Sequence, residues 1–131
     1  MTQEEKQLLL IDLCARLPYG VKAQYNNKKE IFGDVEQIEA SGDIDLSYYD
    51  EETERWKLCC TSIDNIKPYL RPISSMTEKE TNEWHKITLG QRWVTFDNVE
   101  RCANWLNEHH FDYRGLIEKG LALEAPEGMY K

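Results

Sequence analysis

The chain lacks the short motifs that commonly mark a catalytic or cofactor site. It has no serine in a nucleophile-elbow context, no glycine-rich phosphate loop and no His-Glu-x-x-His zinc pattern. No apolar run approaches the roughly 20 residues that span a bilayer, and the polar start from Met1 to Lys6 has no signal core. These absences favour a non-enzymatic, cytoplasmic protein, for which we predict neither a cofactor nor a membrane partner.

Cysteine pairs with metal-binding spacing are also missing. The four cysteines, Cys14, Cys59, Cys60 and Cys102, include no CxxC pair. The adjacent Cys59 and Cys60 would point to opposite faces of a strand. We therefore predict reduced and mostly buried thiols, as is usual in the cytoplasm.

Cations are absent from one long stretch of the sequence. Between Glu30 and Glu54 there is no Lys, Arg or His, whereas the rest of the chain has all 16 cations and the other 14 of the 24 carboxylates. The stretch contains ten carboxylates: Glu30, Asp34, Glu36, Glu39, Asp43, Asp45, Asp50, Glu51, Glu52 and Glu54. It therefore accounts for the whole net charge of −8. Like charges at this density repel unless they are solvated or meet a cationic partner.

The chain begins with a helix pattern. Thr2 and Glu5 form a capping box, and an apolar run from Leu8 to Leu17 follows at once. The apolar positions spread around most of the helix, so we expect burial on several sides. Pro18 ends the helix, because the residue before a proline is pushed out of helical geometry.

From Tyr19 the hydrophobic period changes to two, which is typical of half-buried strands. The predicted inward positions are Val21, Ala23 and Tyr25, then Ile31, Gly33 and Val35, then Ile44, Leu46 and Tyr48, then Trp56, Leu58 and Cys60. Ile38 is out of phase, which predicts a bulge near Glu36 or Gln37. Short connections indicate antiparallel pairing. With an extended Ile66 to Ile73, the region predicts four or five strands in a small SH3-like barrel or, alternatively, a curved meander.

Helices are predicted in the remaining part of the chain. Thr77 with Glu80 is a second capping box that opens a helix through about Leu89, and Asp97 with Glu100 opens another. Asp112 is expected to cap a short last helix over 113–119, with Gly120 as its left-handed stop. The predicted class is α+β. Residues 1–73 form the helix and the strands, and residues 74–131 form a helical segment packed on them as one compact unit.

Candidate metal or acid-base residues crowd together at one place, where His109 and His110 precede Asp112. Neighbouring histidines on a helix point about 100° apart, so both cannot face one ion unless the helix ends between them. His110 falls on the apolar stripe, where a packed histidine near a helix end is the simpler interpretation. A small metal-dependent enzyme using these three residues remains an alternative hypothesis.

The acidic strand region is the leading candidate for a functional surface. A basic groove for nucleic acid is disfavoured there, so we predict a protein partner with a basic surface. The predicted partner-binding residues are Asp43, Asp45, Tyr48, Tyr49, Asp50, Glu51, Glu52 and Glu54, with the two tyrosines as aromatic anchors. Two alternatives stay open: an acidic mimic of nucleic acid that inhibits a host enzyme, and a solvated edge that keeps strands from pairing with neighbours.

Three stretches carry a resemblance to a family. They are LLLIDLCARLPYGVK at 8–22, KPYLRPISSMT at 67–77 and WLNEHHFDYRGLIEKGLALEAPEGMYK at 105–131. They resemble an uncharacterised family of small proteins encoded in Bacteroidales genomes and their phages or prophages. The resemblance implies a bacterial or phage-infected cell as the context and assigns no activity or catalytic residue.

Overall fold

The first element of the computed structural model, which describes residues 1–88 and 96–130, is a capped helix. Helix α1 spans Gln3–Arg16, and the Thr2 hydroxyl accepts a hydrogen bond from the Glu5 amide at 3.1 Å. Leu17–Tyr19 form a 3-10 turn, and Gly20 follows in the left-handed conformation, with φ 75°. The predicted start of the helix and its end before Pro18 are thus confirmed.

A six-stranded sheet forms the centre of the fold. Its strands are β1 Lys22–Tyr25, β2 Lys28–Ile38, β3 Asp43–Asp50, β4 Arg55–Ser62, β5 Ile66–Leu70 and β6 Leu123–Glu124. Their order is β4-β3-β2-β1-β5-β6. Pairing is antiparallel except between β5 and β6, where Tyr69 and Leu70 pair in parallel with Leu123 and Glu124.

The sheet is open, which corrects part of the expectation. The α+β class is confirmed, but within the described residues β4 and β6 lie at opposite edges and do not pair, so the SH3-like barrel is not confirmed. Strand β6 was not predicted from the sequence. It has only two residues, so it offers no measurable alternation to a pattern analysis.

At β3 and β4 the sheet has one buried and one solvent-facing side, whereas at β1 and β5 the outward residues Gln24 and Tyr69 are buried as well. On the inner face, Val35, Ile44 and Leu46 join a core with Leu9 and Leu13 of α1. The register of β2 against β3 shifts between Val35 and Gln37, so the bulge predicted near Glu36 is confirmed. Asp43 and Asp45 alternate with the buried residues of β3 and therefore point to the outer face, as the sequence predicts.

The predicted phase of β4 is wrong. Leu46 pairs with Cys59 and Ile44 with Thr61, so Cys59 and Thr61 lie on the inner face. The apolar set on β4, Trp56, Leu58 and Cys60, lies on the outer face instead. Trp56 is 68% exposed and Leu58 is 66% exposed. Cys60 and Cys14 are exposed, and Cys59 and Cys102 are partly buried, so the expectation of mostly buried thiols is also wrong.

Two helices and a turn complete the fold. Helix α2 spans Glu78–Thr88 and helix α3 spans Phe96–Glu108, while Leu89, the predicted end of the first, lies outside the described residues. The predicted helix over 113–119 is wrong. Asp112 does cap this segment through the amides of Leu116 and Ile117, at 2.9 and 3.0 Å, but Gly115 has φ 73°, which no α-helix accommodates. The segment is a turn.

The C-terminal segment contributes to the same core as the helix and the strands. Leu116, Leu121 and Ala122 belong to the hydrophobic cluster formed by α1 and the inner face of the sheet. A single core therefore includes residues from both sides of the boundary proposed at residue 73.

Helix α1 buries charges as well as apolar side chains. Asp12 and Arg16 are fully buried and form two hydrogen bonds of 2.8 and 3.0 Å. Arg16 also donates to the Phe111 carbonyl at 2.6 Å, and Arg114 donates to Asp12 at 2.8 Å. Ile11 is 57% exposed, so the helix is not buried on several sides as predicted. These ion pairs occupy inward positions that an apolar pattern assigns to hydrophobic residues.

Candidate functional site

The outer face of the β3–β4 hairpin carries a row of exposed apolar side chains. Tyr49 pairs across the strands with Trp56, and their rings meet edge to face at 5.6 Å between centroids. Leu58 follows two residues along β4 on the same face. Tyr49 is 44% exposed, and the other two are about two-thirds exposed. We call Tyr49, Trp56 and Leu58 the apolar strip.

Rigid pairing with β3 holds the apolar strip in place. All eight residues of β4 pair in continuous register with β3, from Asp43 with Ser62 to Asp50 with Arg55. Strand β3 is in turn paired with β2 on its other side. Because the backbone of such a scaffold is already ordered, binding of a partner costs little further backbone entropy.

The predicted acidic residues lie at the two ends of the apolar strip. Asp43 and Asp45 are at one end of β3, and Glu51, Glu52 and Glu54 are in the turn beyond its other end. At about 3.3 Å per residue, the first and last residues of β3 are roughly 23 Å apart. The carboxylates therefore form two groups that frame the strip, not the single surface that the sequence predicts.

Two of the predicted partner residues are placed differently from the rest. Tyr48 is half-buried on the inner face, opposite Lys57, so it is not an outward anchor like Tyr49. Asp50 points to the same side and pairs with Lys57 at 2.6 Å. This hydrogen bond with Lys57 holds the pKa of Asp50 below its usual value. Asp50 is therefore already partnered within the chain.

A thiol lies among the carboxylates at the Asp43 end. Glu39, Asp45 and Cys60 come from three neighbouring segments, and their potential ligand atoms lie within 4.8 Å of one another. The interaction of the thiol with the Asp45 carboxylate raises the pKa of Cys60 to about 11. A protonated thiol is a poor nucleophile, so the raised pKa gives Cys60 no activated thiolate.

The backbone directs the side chains of His109, His110 and Asp112 to different contacts. His109 stacks on Trp105 at 4.2 Å, and its Nδ1 lies 2.8 Å from the Trp105 carbonyl oxygen. His110 is buried with φ 60° and stacks on Tyr130 at 3.7 Å. Burial lowers the pKa of His110 to about 4. Because Asp112 caps the following turn, the three residues proposed as metal ligands have separate structural roles.

A cavity of about 870 Å³ lies beside this cluster. Its lining includes Arg71, Glu80, His109 and Tyr130. Two of its charged lining residues pair with each other, because Arg71 donates two hydrogen bonds to Glu80, both at 2.7 Å. Tyr130 accepts from the Lys22 amide at 2.8 Å and donates to the Tyr69 carbonyl at 2.7 Å. These contacts stabilise the fold and leave the apolar strip as the stronger candidate.

Trp56 and Leu58 were not predicted as surface residues, because their alternation fits a core-facing strand. The signals against that phase are Cys59 and Thr61, whose side chains also tolerate burial. Asp43, Asp45, Tyr49 and the turn carboxylates were identified from the sequence.

Comparisons with protein-family models, with curated proteins and with solved structures found no match to this chain. Among the residues that the structure describes, no helix is both long and apolar enough to cross a membrane. The functional conclusion therefore depends on the geometry of the site.

Proposed function

We propose that this chain is a non-enzymatic binding protein of a bacterial or phage-infected cell, and that its partner is a protein with a basic surface. The observation that carries the proposal is the apolar strip, whose two β4 residues are about two-thirds exposed on a rigid strand pair. Exposed apolar surface rimmed by polar residues is typical of protein interaction sites.

The arrangement of the outer face resembles the anatomy of an interface. Aromatic residues are enriched at the centres of interfaces, and charged residues occupy the rim. Here Tyr49, Trp56 and Leu58 lie between the carboxylates of the turn and Asp45. The carboxylates would attract a basic partner and orient it, while burial of the strip would supply affinity.

The charge requirement can be tested with a labelled peptide. The probe is a fluorescein-labelled nine-residue peptide with alternating valine and threonine in the centre and two lysines at each end. We expect it to bind the protein, and to bind at least tenfold more weakly when four carboxylates of the outer face are neutralised: Asp43→Asn, Asp45→Asn, Glu52→Gln and Glu54→Gln. Binding to this variant should also depend less on salt concentration.

A matched control separates local from total charge. Neutralising four exposed carboxylates elsewhere changes the net charge equally: Glu78→Gln, Glu100→Gln, Glu118→Gln and Glu127→Gln. We expect this control to keep most of the affinity. Equal loss in the two variants, or no binding of the lysine peptide to the unmodified protein, would show that the outer face is not the basic-partner site.

A further inference from the structure

The open edge of β4 lies directly beside the apolar strip. Strand β4 is the last strand of the sheet, and β3 is its only strand partner within residues 1–88 and 96–130. Over eight residues, one side of its backbone therefore has no ladder partner among the described residues. Exposed edges of this length readily accept a further strand.

The register shows which backbone groups face the open edge. The Glu39 amide donates to the Asp43 carbonyl at 2.8 Å, so Asp43 directs its backbone groups toward β2. In an antiparallel ladder, successive residues bond alternately to the two neighbours. Leu46 therefore bonds toward β4, and its partner Cys59 bonds back. It follows that Trp56, Leu58 and Cys60 direct their amides and carbonyls away from β3.

We infer that the basic partner binds by strand addition, with an extended segment of its chain pairing along the open edge of β4. This inference rests on the proposed function of the outer face. Main-chain hydrogen bonds to Trp56, Leu58 and Cys60 would add to the side-chain contacts. In such complexes the backbone supplies affinity, and alternate side chains supply specificity.

The side chains and charges of the outer face define the sequence that the partner's extended segment needs. In the middle of the partner segment, the side chains on the outer face are apolar, because they would lie beside Trp56 and Leu58 of this chain. The flanks of the segment are basic, because carboxylates lie at both ends of the β3–β4 hairpin.

A second copy of this chain fits the edge less well. Each copy has a net charge of −8. Antiparallel pairing of two β4 edges would bring the turn carboxylates of one copy toward Asp43 of the other, and like charges repel. Charge complementarity therefore selects the basic segment over self-association.

Amide hydrogen exchange tests the inference on the unmodified protein. In the free protein, the amides of Lys57 and Cys59 should exchange slowly and those of Leu58 and Cys60 quickly. Saturating amounts of the lysine peptide should slow exchange at Leu58 and Cys60 at least tenfold. A peptide with glutamates in place of the lysines should leave exchange unchanged.

A proline substitution provides the second measurement. Cys60→Pro removes an amide that points to the open edge, a position where edge strands accept proline, whereas Cys60→Ala removes only the thiol. We expect Cys60→Pro to weaken peptide binding at least tenfold relative to Cys60→Ala, with similar thermal unfolding for the two variants.

The outcomes separate this inference from the proposed function. The peptide could bind in a carboxylate-dependent manner without slowing exchange at Leu58 and Cys60 and without losing affinity for Cys60→Pro. Strand addition would then be wrong, whereas the outer face would still be the binding surface. If the peptide does not bind, both are wrong. If exchange at Leu58 and Cys60 is already slow without peptide and the protein has the mass of a dimer, a second copy occupies the edge of β4. That result would overturn the inference.

Discussion

The outer face of the hairpin and the interior beneath α1 distribute charged and apolar residues in opposite ways. In the interior, Asp12 and Arg16 are fully buried, and each has hydrogen-bond partners within the chain. On the outer face, Trp56 and Leu58 are apolar and about two-thirds exposed. The buried charges link distant segments of the chain, whereas the exposed apolar groups on the β3–β4 strand pair are the basis of the proposed binding surface.

The contrast also explains why charge count alone is a poor guide to the site. Asp12 and Glu80 are carboxylates, but both hold arginines within the fold, so they are unavailable to a partner. Asp50, although predicted as a partner residue, is occupied by Lys57. The carboxylates that we propose for binding are those next to the exposed apolar side chains of the hairpin.

Removing a buried charge should have the largest effect on stability. We expect Asp12→Ala to lower the free energy of unfolding by about 3–5 kcal/mol, because it leaves Arg16 buried without its carboxylate. Gln7→Ala, an exposed position on the same helix, should change it by less than about 0.5 kcal/mol. Urea denaturation of both variants measures the difference, and similar values would contradict a structural role for the ion pair.

The Arg71–Glu80 pair should have a smaller, pH-dependent effect. Hydrogen bonds from Arg71 hold the pKa of Glu80 at about 2, below its ordinary value of 4.5. Because the pKa is lowered in the folded state, the stabilisation is present above pH 4.5 and is lost as the pH falls toward 2. We expect Glu80→Gln to cost about 1.5–3 kcal/mol at pH 7.

The pH dependence shows whether the negative charge of Glu80 causes the difference in stability. The difference between the unmodified protein and Glu80→Gln should shrink between pH 4.5 and pH 2 in urea denaturation. Glu78→Gln, at an exposed position in the same helical turn, is the control and should cost less than about 1 kcal/mol. A constant difference at both pH values would show that packing, and not the ion pair, is lost.

The apolar strip should contribute least to stability. Trp56→Ala should lower the free energy of unfolding by less than about 1 kcal/mol, since the side chain is mostly exposed and its main contact is the Tyr49 ring. Leu46→Ala, on the buried face of the neighbouring strand, should cost about 2–5 kcal/mol. If the two costs were equal, Trp56 would be a core residue and the comparison between the two regions would fail.

Local chemistry made much of this fold predictable from the sequence. The N-cap at Thr2, the capping box at Thr77 and the bulge at Glu36 depend on neighbouring residues, and all three are present. The outward direction of Asp43 and Asp45 follows from strand alternation on β3, where the two faces differ clearly in polarity.

Other features depend on contacts between distant segments. The phase of β4 could not be decided locally, because its two faces carry Trp56 and Leu58 on one side and Cys59 on the other. The burial of Asp12 and Arg16 requires Arg114 and the Phe111 carbonyl, about a hundred residues away. Of the candidate site, the carboxylates and Tyr49 were thus predicted from the sequence, whereas Trp56 and Leu58 were missed.

Nuclear magnetic resonance titration with the lysine peptide tests the binding surface most directly. If the outer face is the partner site, the largest shift changes will occur at the Trp56 indole, the Leu58 methyl groups and the amides of β4. If they instead cluster around Arg71, His109 and Glu124 beside the cavity, or if no resonance shifts, the outer face is not the functional surface.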